Sequence, residues 1–382
     1  MKIICSTNIP YAFEAFGPLG DVEILGPREI TADRVRDAEL LITRSTLKVN
    51  SALLEGSRVK FVGTATIGTD HMDTKYLDKA GIAWAAAPGC NANSVSEYVA
   101  AALLCLGQRR GFQLEGKTIG VIGVGNVGKQ VVKKARSLGM RVLQNDPPRR
   151  AAENDSAFLP LEEVLGASDI ITLHVPLTAA GPYPTKHLAD RRFFERLKPG
   201  AVFLNTARGA VMDSEAFLSA RDSGKVSAAV IDTWENEPVF RPDVMAKADI
   251  ATPHIAGHSF DGKVNGTLMI YRAACRFLGV GPDWTPENLL PKPVVPEIRL
   301  ESPGPGEEAG LWRIVRQVYD IEADDRRMRP IADMHARERG ARFEKLRQDY
   351  PVRREFRFTS VFLPEECSSL RLKLRNLGFA DQ

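Results

Sequence analysis

Residues 118–138 run strand, glycine loop, helix, and no other feature of the chain limits its fold as strongly. The apolar run TIGVI leads into Gly123-Val124-Gly125-Asn126-Val127-Gly128, and apolar residues at helical spacing follow. A G-x-G-x-x-G in that context marks a dinucleotide-binding βαβ unit. The glycines allow a tight turn and close backbone approach to a pyrophosphate, whose charge the helix N-terminus favours. Strands expected over 118–122, 141–145, 170–175, 202–205, 228–232 and 250–252 alternate with helices over 126–138, 161–166, 190–197 and 213–222. That count and order define a doubly wound α/β domain.

Asp146 ends the strand after the glycine loop. An acid there accepts hydrogen bonds from the adenosine ribose hydroxyls and repels the 2′-phosphate of NADP, so the expected cofactor is NAD. Arg149 and Arg150, close by, work against complete exclusion of NADP. Before this domain, strands over 1–5, 39–43 and 60–64 and a helix over 51–55 give a second parallel-sheet rhythm, followed by a helix over 94–108. After it come a helix over 262–278 and a proline-rich connection at 286–305. The chain then changes character: helices over 310–320, 333–348 and 365–377 and a strand over 355–362 suggest a small α+β module.

Composition narrows the function classes. With 44% hydrophobic and 26% charged residues in 382, the chain is neither disordered nor fibrous, and it is long enough for two or three domains. A net charge of +3 suits a site for a small anion and gives no support for nucleic-acid binding. The arginine-rich stretch 326–354 has acids interleaved throughout and reads as a solvated helical face. The longest apolar run, 99–106, is far short of the ~20 residues of a membrane span. MKIICSTNIP does not read as a signal peptide. Five widely spaced cysteines without a CxxC pair argue against disulfides or zinc, and a cytoplasmic location follows as the default.

Three later segments carry chemistry. Asn205-Thr206-Ala207-Arg208-Gly209 follows a strand at its carboxyl end, where open α/β sheets place ligands, and an arginine can grip a carboxylate with two prongs. Asp232 closes the next strand, and Trp234-Glu235-Asn236-Glu237-Pro238 forms its loop. Then comes Thr252-Pro253-His254-Ile255-Ala256-Gly257. A carboxylate set against an imidazole fixes its tautomer and favours its charged form, as an acid–base pair requires. His71 reads as a loop-pinning residue, not a metal ligand. His174 and His187 have no partner at ligand spacing, His335 sits in a charged helix, and the tryptophans read as packing residues.

Taken in order, GVGNVG, Asp146, LNTARG, DTWENEP and ATPHIAG resemble the D-2-hydroxyacid dehydrogenase family. The resemblance implies that Arg208, Glu237 and His254 are catalytic. It implies that Gly123, Gly125, Asn126, Val127, Gly128, Asp146, Val175, Thr206, Ala207, Asp232 and Gly257 surround NAD. RSTLKVN, FVGTATIGTDHMD, APGCNANSVSEYV and DPPRR narrow it to the branch that oxidises 4-phospho-D-erythronate on a route to pyridoxal 5′-phosphate. That branch implies substrate contacts from Ser45, Thr66 and His258, and a homodimer formed through the last ninety residues. Arg44, after the strand over 39–43, joins them on chemistry, as a cation for a phosphate. The branch usually has tyrosine at the position of His258, often threonine at that of Val175, and an acid at that of Thr7.

The implied architecture is two doubly wound parallel-sheet domains and a small α+β C-terminal domain: substrate binding over 1–92 and 258–288, NAD binding over 93–257, dimerisation over 289–382. The substrate domain should close over the cofactor domain and exclude water. Phosphoglycerate- and hydroxypyruvate-type dehydrogenases are the nearest rival readings. An NAD-responsive corepressor on the same fold is a more distant one, since such proteins end in a disordered tail and lack these substrate motifs.

Overall fold

A computed structural model describes residues 1–302 and 304–380, and within it the chain forms two compact units. The first comprises Met1–Ala92 and Ser259–Lys292; the second comprises Asn93–His258 and the chain from Pro293 onward. Both are built on parallel sheets.

In the first unit, β1 (Lys2–Ser6), β2 (Asp21–Leu25), β3 (Leu40–Thr43), β4 (Phe61–Thr64) and β5 (Ala83–Ala86) pair in the order β2-β1-β3-β4-β5. Successive side chains point to opposite faces, so the sheet feeds two cores. Ile3, Cys5 and Ile42 join Phe16, Ile270 and Tyr271 on one side, while Ile4, Leu41 and Val62 join Leu54 and Leu77 on the other. Gly63 lets the helix Phe260–Leu278 lie directly on β4, where any Cβ would collide with Ile270. The sequence reading missed β2 and β5, which are the two edges. DVEIL is half exposed and AWAA is alanine-rich, so neither shows the β-branched run of a central strand.

In the second unit, β6 (Thr118–Ile122), β7 (Arg141–Asn145), β8 (Ile170–Leu173), β9 (Ala201–Asn205), β10 (Val226–Ile231) and β11 (Ile250–Ala251) pair in the order β7-β6-β8-β9-β10-β11. The order reverses between β6 and β8, the switch point at which such sheets take ligands. Every strand expected here is present within a residue or two.

The C-terminal segment differs most from expectation. Its contacts group it with the second unit, and its residues Leu311, Ile314, Leu370 and Leu374 share one core with Val99, Leu103, Ile119 and Val131. Polar ties reinforce that core. Glu308 accepts from Leu114 N (2.8 Å) and Glu115 N (2.9 Å), Asp325 accepts from Ala251 N (2.7 Å), and Lys134 donates to the Leu377 carbonyl (2.5 Å). The proline-rich connection contains β12 (Glu297–Arg299), which begins just after Pro296 and pairs with β13 (Ser360–Phe362). The strand expected over 355–362 shrinks to β13, because Arg353, Arg354, Glu355 and Phe356 are all buried and Phe356–Phe358 forms a 3-10 turn. Arg353 and Arg354 therefore do not belong to a solvated face. The sequence gives no sign of an additional helix, Ile321–Met328, and His335 stands at the position just before the helix Ala336–Gln348 instead of within it.

Candidate active site

The glycine loop sits at the carboxyl end of β6. Gly123 has φ +85°, and a Cβ there would lie 2.8 Å from the His174 backbone and from Val175. Gly128 is equally constrained, because a Cβ would strike the Gly123 carbonyl; around Gly125 space is open. With Val124 buried in the core, the glycines leave the backbone uncovered at the N-terminus of the helix Asn126–Ser137, which also carries Val127. That cradle suits a pyrophosphate. Asp146 follows β7 and accepts from Val124 N (2.8 Å) and Arg149 N (3.1 Å), so it both ties down the loop and caps the helix Pro147–Glu153. Arg149 is engaged by Glu153 (2.7 Å) and by the Val124 carbonyl (2.8 Å). A cation so occupied is poorly placed to welcome a 2′-phosphate, and the residues present fit NAD.

On the other side of the switch point, His174 is half-buried between Thr172 Oγ1 (2.9 Å) and Thr206 Oγ1 (3.3 Å). Burial pushes its imidazole down to about 3. Ala207 N is held by the Asn205 side chain (3.1 Å), and Arg208 leaves the strand in extended conformation. Gly209 then passes directly under the Trp234 carbonyl, an approach only glycine permits.

Glu237 and His254 meet. His254 Nδ1 lies 2.5 Å from Glu237 Oε1, and Glu237 Oε2 accepts from Trp234 N (3.1 Å). Burial pushes the Glu237 carboxyl up, but the His254 charge and hydrogen bond and the Arg347 charge outweigh it and hold the group below the usual range. His254 adopts φ +55°, uncommon for a residue with a side chain, and its N–H donates to the Asp232 carbonyl (2.8 Å). The Asp232 carboxylate accepts from Ile255 N (2.8 Å), Ala256 N (3.1 Å) and Thr252 Oγ1 (2.6 Å), which in turn meets the Tyr98 hydroxyl (2.6 Å). Burial raises the Asp232 carboxyl against the pull of His254 and of these donors. Gly257 and His258 complete the turn, with His258 N donating to the Ile255 carbonyl (2.8 Å).

Trp234 is more than packing: its indole N–H donates to the Thr252 carbonyl (2.8 Å), linking the loop of Glu237 to that of His254. Its place between Asp232 and Glu237 was the available signal. Tyr98, far away in sequence, had none. His187, without a partner at ligand spacing in the sequence, pairs with the distant Glu235 (2.6 Å).

In the first unit, Arg44 and Ser45 follow β3, and Asn8, after β1, donates to Thr46 Oγ1 (3.1 Å) across the point where that sheet's order reverses. Thr66 Oγ1 lies 2.8 Å from Thr64 Oγ1 and donates to the Gly68 carbonyl (3.0 Å). His71 meets Thr64 Oγ1 (3.0 Å), the pinning role expected of it. All five cysteines are free and buried. Among the described residues, no three His, Cys, Asp or Glu side chains converge as metal ligands would, and no helix is long and apolar enough to cross a membrane.

A glycine cradle at the switch point and a Glu–His pair beyond it define a class, D-isomer specific 2-hydroxyacid dehydrogenases, whose NAD-binding domain profile matches residues 97–256. Residues 289–378 match a domain of unknown function. The chain is similar to the D-lactate dehydrogenase of Aquifex aeolicus solved with NAD and lactic acid (26% identity, TM-score 0.61, covering 72% of this chain and 95% of that one). It is similar also to the NAD⁺-bound 3-phosphoglycerate dehydrogenase of Entamoeba histolytica (25%, TM-score 0.62, 73% and 95%). The erythronate-4-phosphate dehydrogenases of Salinibacter ruber (47% identical, 94% of each chain) and Edwardsiella ictaluri (45%, 99% of each) match along nearly the whole length. The protein belongs to the erythronate-4-phosphate dehydrogenase family.

Proposed function

We propose that this protein oxidises the 2-hydroxyl of 4-phospho-D-erythronate to give (R)-3-hydroxy-2-oxo-4-phosphobutanoate, in the cytoplasm, as a step of pyridoxal 5′-phosphate biosynthesis. The observation that carries the reading is the 2.5 Å contact of His254 with Glu237 in a chain 47% identical to a named erythronate-4-phosphate dehydrogenase. Glu237 accepts from His254 Nδ1, which leaves Nε2 as the nitrogen that takes the hydroxyl proton. Arg208 holds the substrate carboxylate and steadies the reacting oxygen. NAD, when bound, accepts the hydride from C2. Arg44, Ser45, Thr66 and His258 contact the substrate, with Arg44 and Ser45 taking its phosphate; Asp146, Thr206, Ala207, Asp232, Val175 and Gly257 line the cofactor with the glycine loop. The working form is a homodimer assembled through the C-terminal segment, which leaves Val294, Val352 and Leu372 exposed for pairing.

The test is NADH formation with 4-phosphoerythronate, unphosphorylated erythronate, 3-phosphoglycerate and D-lactate. The highest kcat/KM is expected for 4-phosphoerythronate. Faster turnover of 3-phosphoglycerate overturns the assignment.

A further inference from the structure

The C-terminal segment does more than add to the core. In the helix Ala336–Gln348, Gly340, Phe343 and Arg347 fall at i, i+3 and i+7 and so share one face. That face lies on the loop that carries Glu237. A Cβ on Gly340 would stand 3.0 Å from Val239, with Pro238 next to it, and the Phe343 ring is 5.7 Å from that of Phe240. One turn further along that face stands Arg347, whose positive charge helps hold the Glu237 carboxyl below the usual range. It is largely buried, its Nε meets no acceptor, and its nearest acid is Glu344 at 3.5 Å. Beyond the helix the same segment reaches the loop of His254. Pro253 lines a cleft of about 160 Å³ with Leu346 and Tyr350, and Arg353 donates to the Ala256 carbonyl (2.8 Å).

We propose that residues 340–353 are a positioning element for proton transfer, with Arg347 the cation that aims Glu237 at His254. The inference rests on the acid–base reading of that pair given above. When His254 takes the hydroxyl proton, the imidazolium needs an ionised Glu237 beside it, and a second cation behind the carboxylate keeps it ionised and directed. The other charged groups around the loop are already committed. Glu235 is held by His187 (2.6 Å) and by the Ser214 hydroxyl (2.7 Å), and Arg339 lies over the Phe240 ring. Asp232 is held by its own donors.

The experiment compares Arg347→Gln and Arg347→Lys in the full chain, with Arg337→Ala, exposed on the same helix and outside the proposed element, as control. Arg347→Gln should lower kcat about three- to tenfold, the equivalent of up to one pKa unit. KM should stay within about twofold, and the acid limb of the kcat profile should move to higher pH, because a carboxyl that loses a neighbouring cation protonates more readily. Arg347→Lys should restore the limb; Arg337→Ala should behave as wild type. Gly340→Val, which pushes on Val239 without changing a charge, should lower kcat and leave the limb in place. An unmoved limb and full kcat in Arg347→Gln overturn the proposal, as does a limb that Arg347→Lys fails to restore. His254→Ala and Glu237→Gln run in parallel separate the two readings. If they keep full kcat, the acid–base pair itself is wrong. If they collapse while Arg347→Gln does not respond, only the positioning role falls.

Discussion

The two units are variations on one architecture with different equipment at their sheet ends. Each is a parallel sheet whose strand order reverses once, between β1 and β3 in the first and between β6 and β8 in the second. At the first reversal stand hydroxyls, an amide and a guanidinium: Ser45, Thr46, Asn8 and Arg44. At the second, a glycine cradle after β6 is accompanied, beyond β10, by a carboxylate locked to an imidazole. The first set can hold an anion but has no geometry fixed for moving a proton. The second has that geometry, and it is braced from behind by a segment with no counterpart in the first unit. The topology supplies the places, and the loops decide what happens there.

Truncation should break this contrast most severely. Because Leu311, Ile314, Leu370 and Leu374 complete the core around Val99 and Ile119, ending the chain at Lys292 should leave the second unit unfolded and the protein insoluble. A soluble product with native circular dichroism would mean that the brace is dispensable. Next in size is His254→Ala, expected to lower kcat by about 10²–10⁴, the range for one acid–base group; full activity would remove proton transfer from the second unit. Arg44→Ala tests the first unit's role. Loss of a charge-assisted hydrogen bond of roughly 1.5–3 kcal/mol should raise KM for 4-phosphoerythronate about 10- to 100-fold and leave unphosphorylated erythronate little changed. Equal losses on both substrates would mean that Arg44 serves the fold.

The smallest effect concerns a property the units share. Burial pushes His71 in the first down to about 4, against the pull of Asp70, and His174 in the second down to about 3. Both are neutral when folded, whereas in the unfolded chain a histidine titrates near 6.5. Below about pH 6.5 the unfolded state therefore binds more protons, and stability falls as pH drops toward 4. Melting curves of His71→Gln and His174→Gln over that range should show a shallower decline, each in its own unit; an unchanged slope would mean that other groups govern acid sensitivity.

Legibility in the sequence followed the range of the interactions. The strand–glycine–helix unit, Asp146 and the strands of the second sheet are specified by residues a few positions apart, and the reading located them closely. Glu237 and His254 were legible as a pair because each ends a strand or opens a loop of the same sheet. The edge strands β2 and β5 were not, since their weak apolar patterns gain meaning only from a neighbour. Least legible was the brace. Nothing near Arg347 or Gly340 signals Glu237, and an arginine-rich helix followed by buried Arg353 and Arg354 looks like a surface until its partners, a hundred residues earlier in the chain, are in place.

The helix Phe260–Leu278 gives the order of synthesis a structural meaning. It supplies Ile270, Tyr271, Ala274 and Cys275 to the core of a unit whose five strands all lie within the first 86 residues. On a ribosome, where domains fold as they emerge, N-terminal parts first, those strands leave the tunnel long before the helix that seals them. The whole six-stranded sheet must be made in between. The first unit to begin translation therefore cannot finish until that helix has emerged, and during that interval one face of its sheet remains open to whatever chaperone or partner chain it meets.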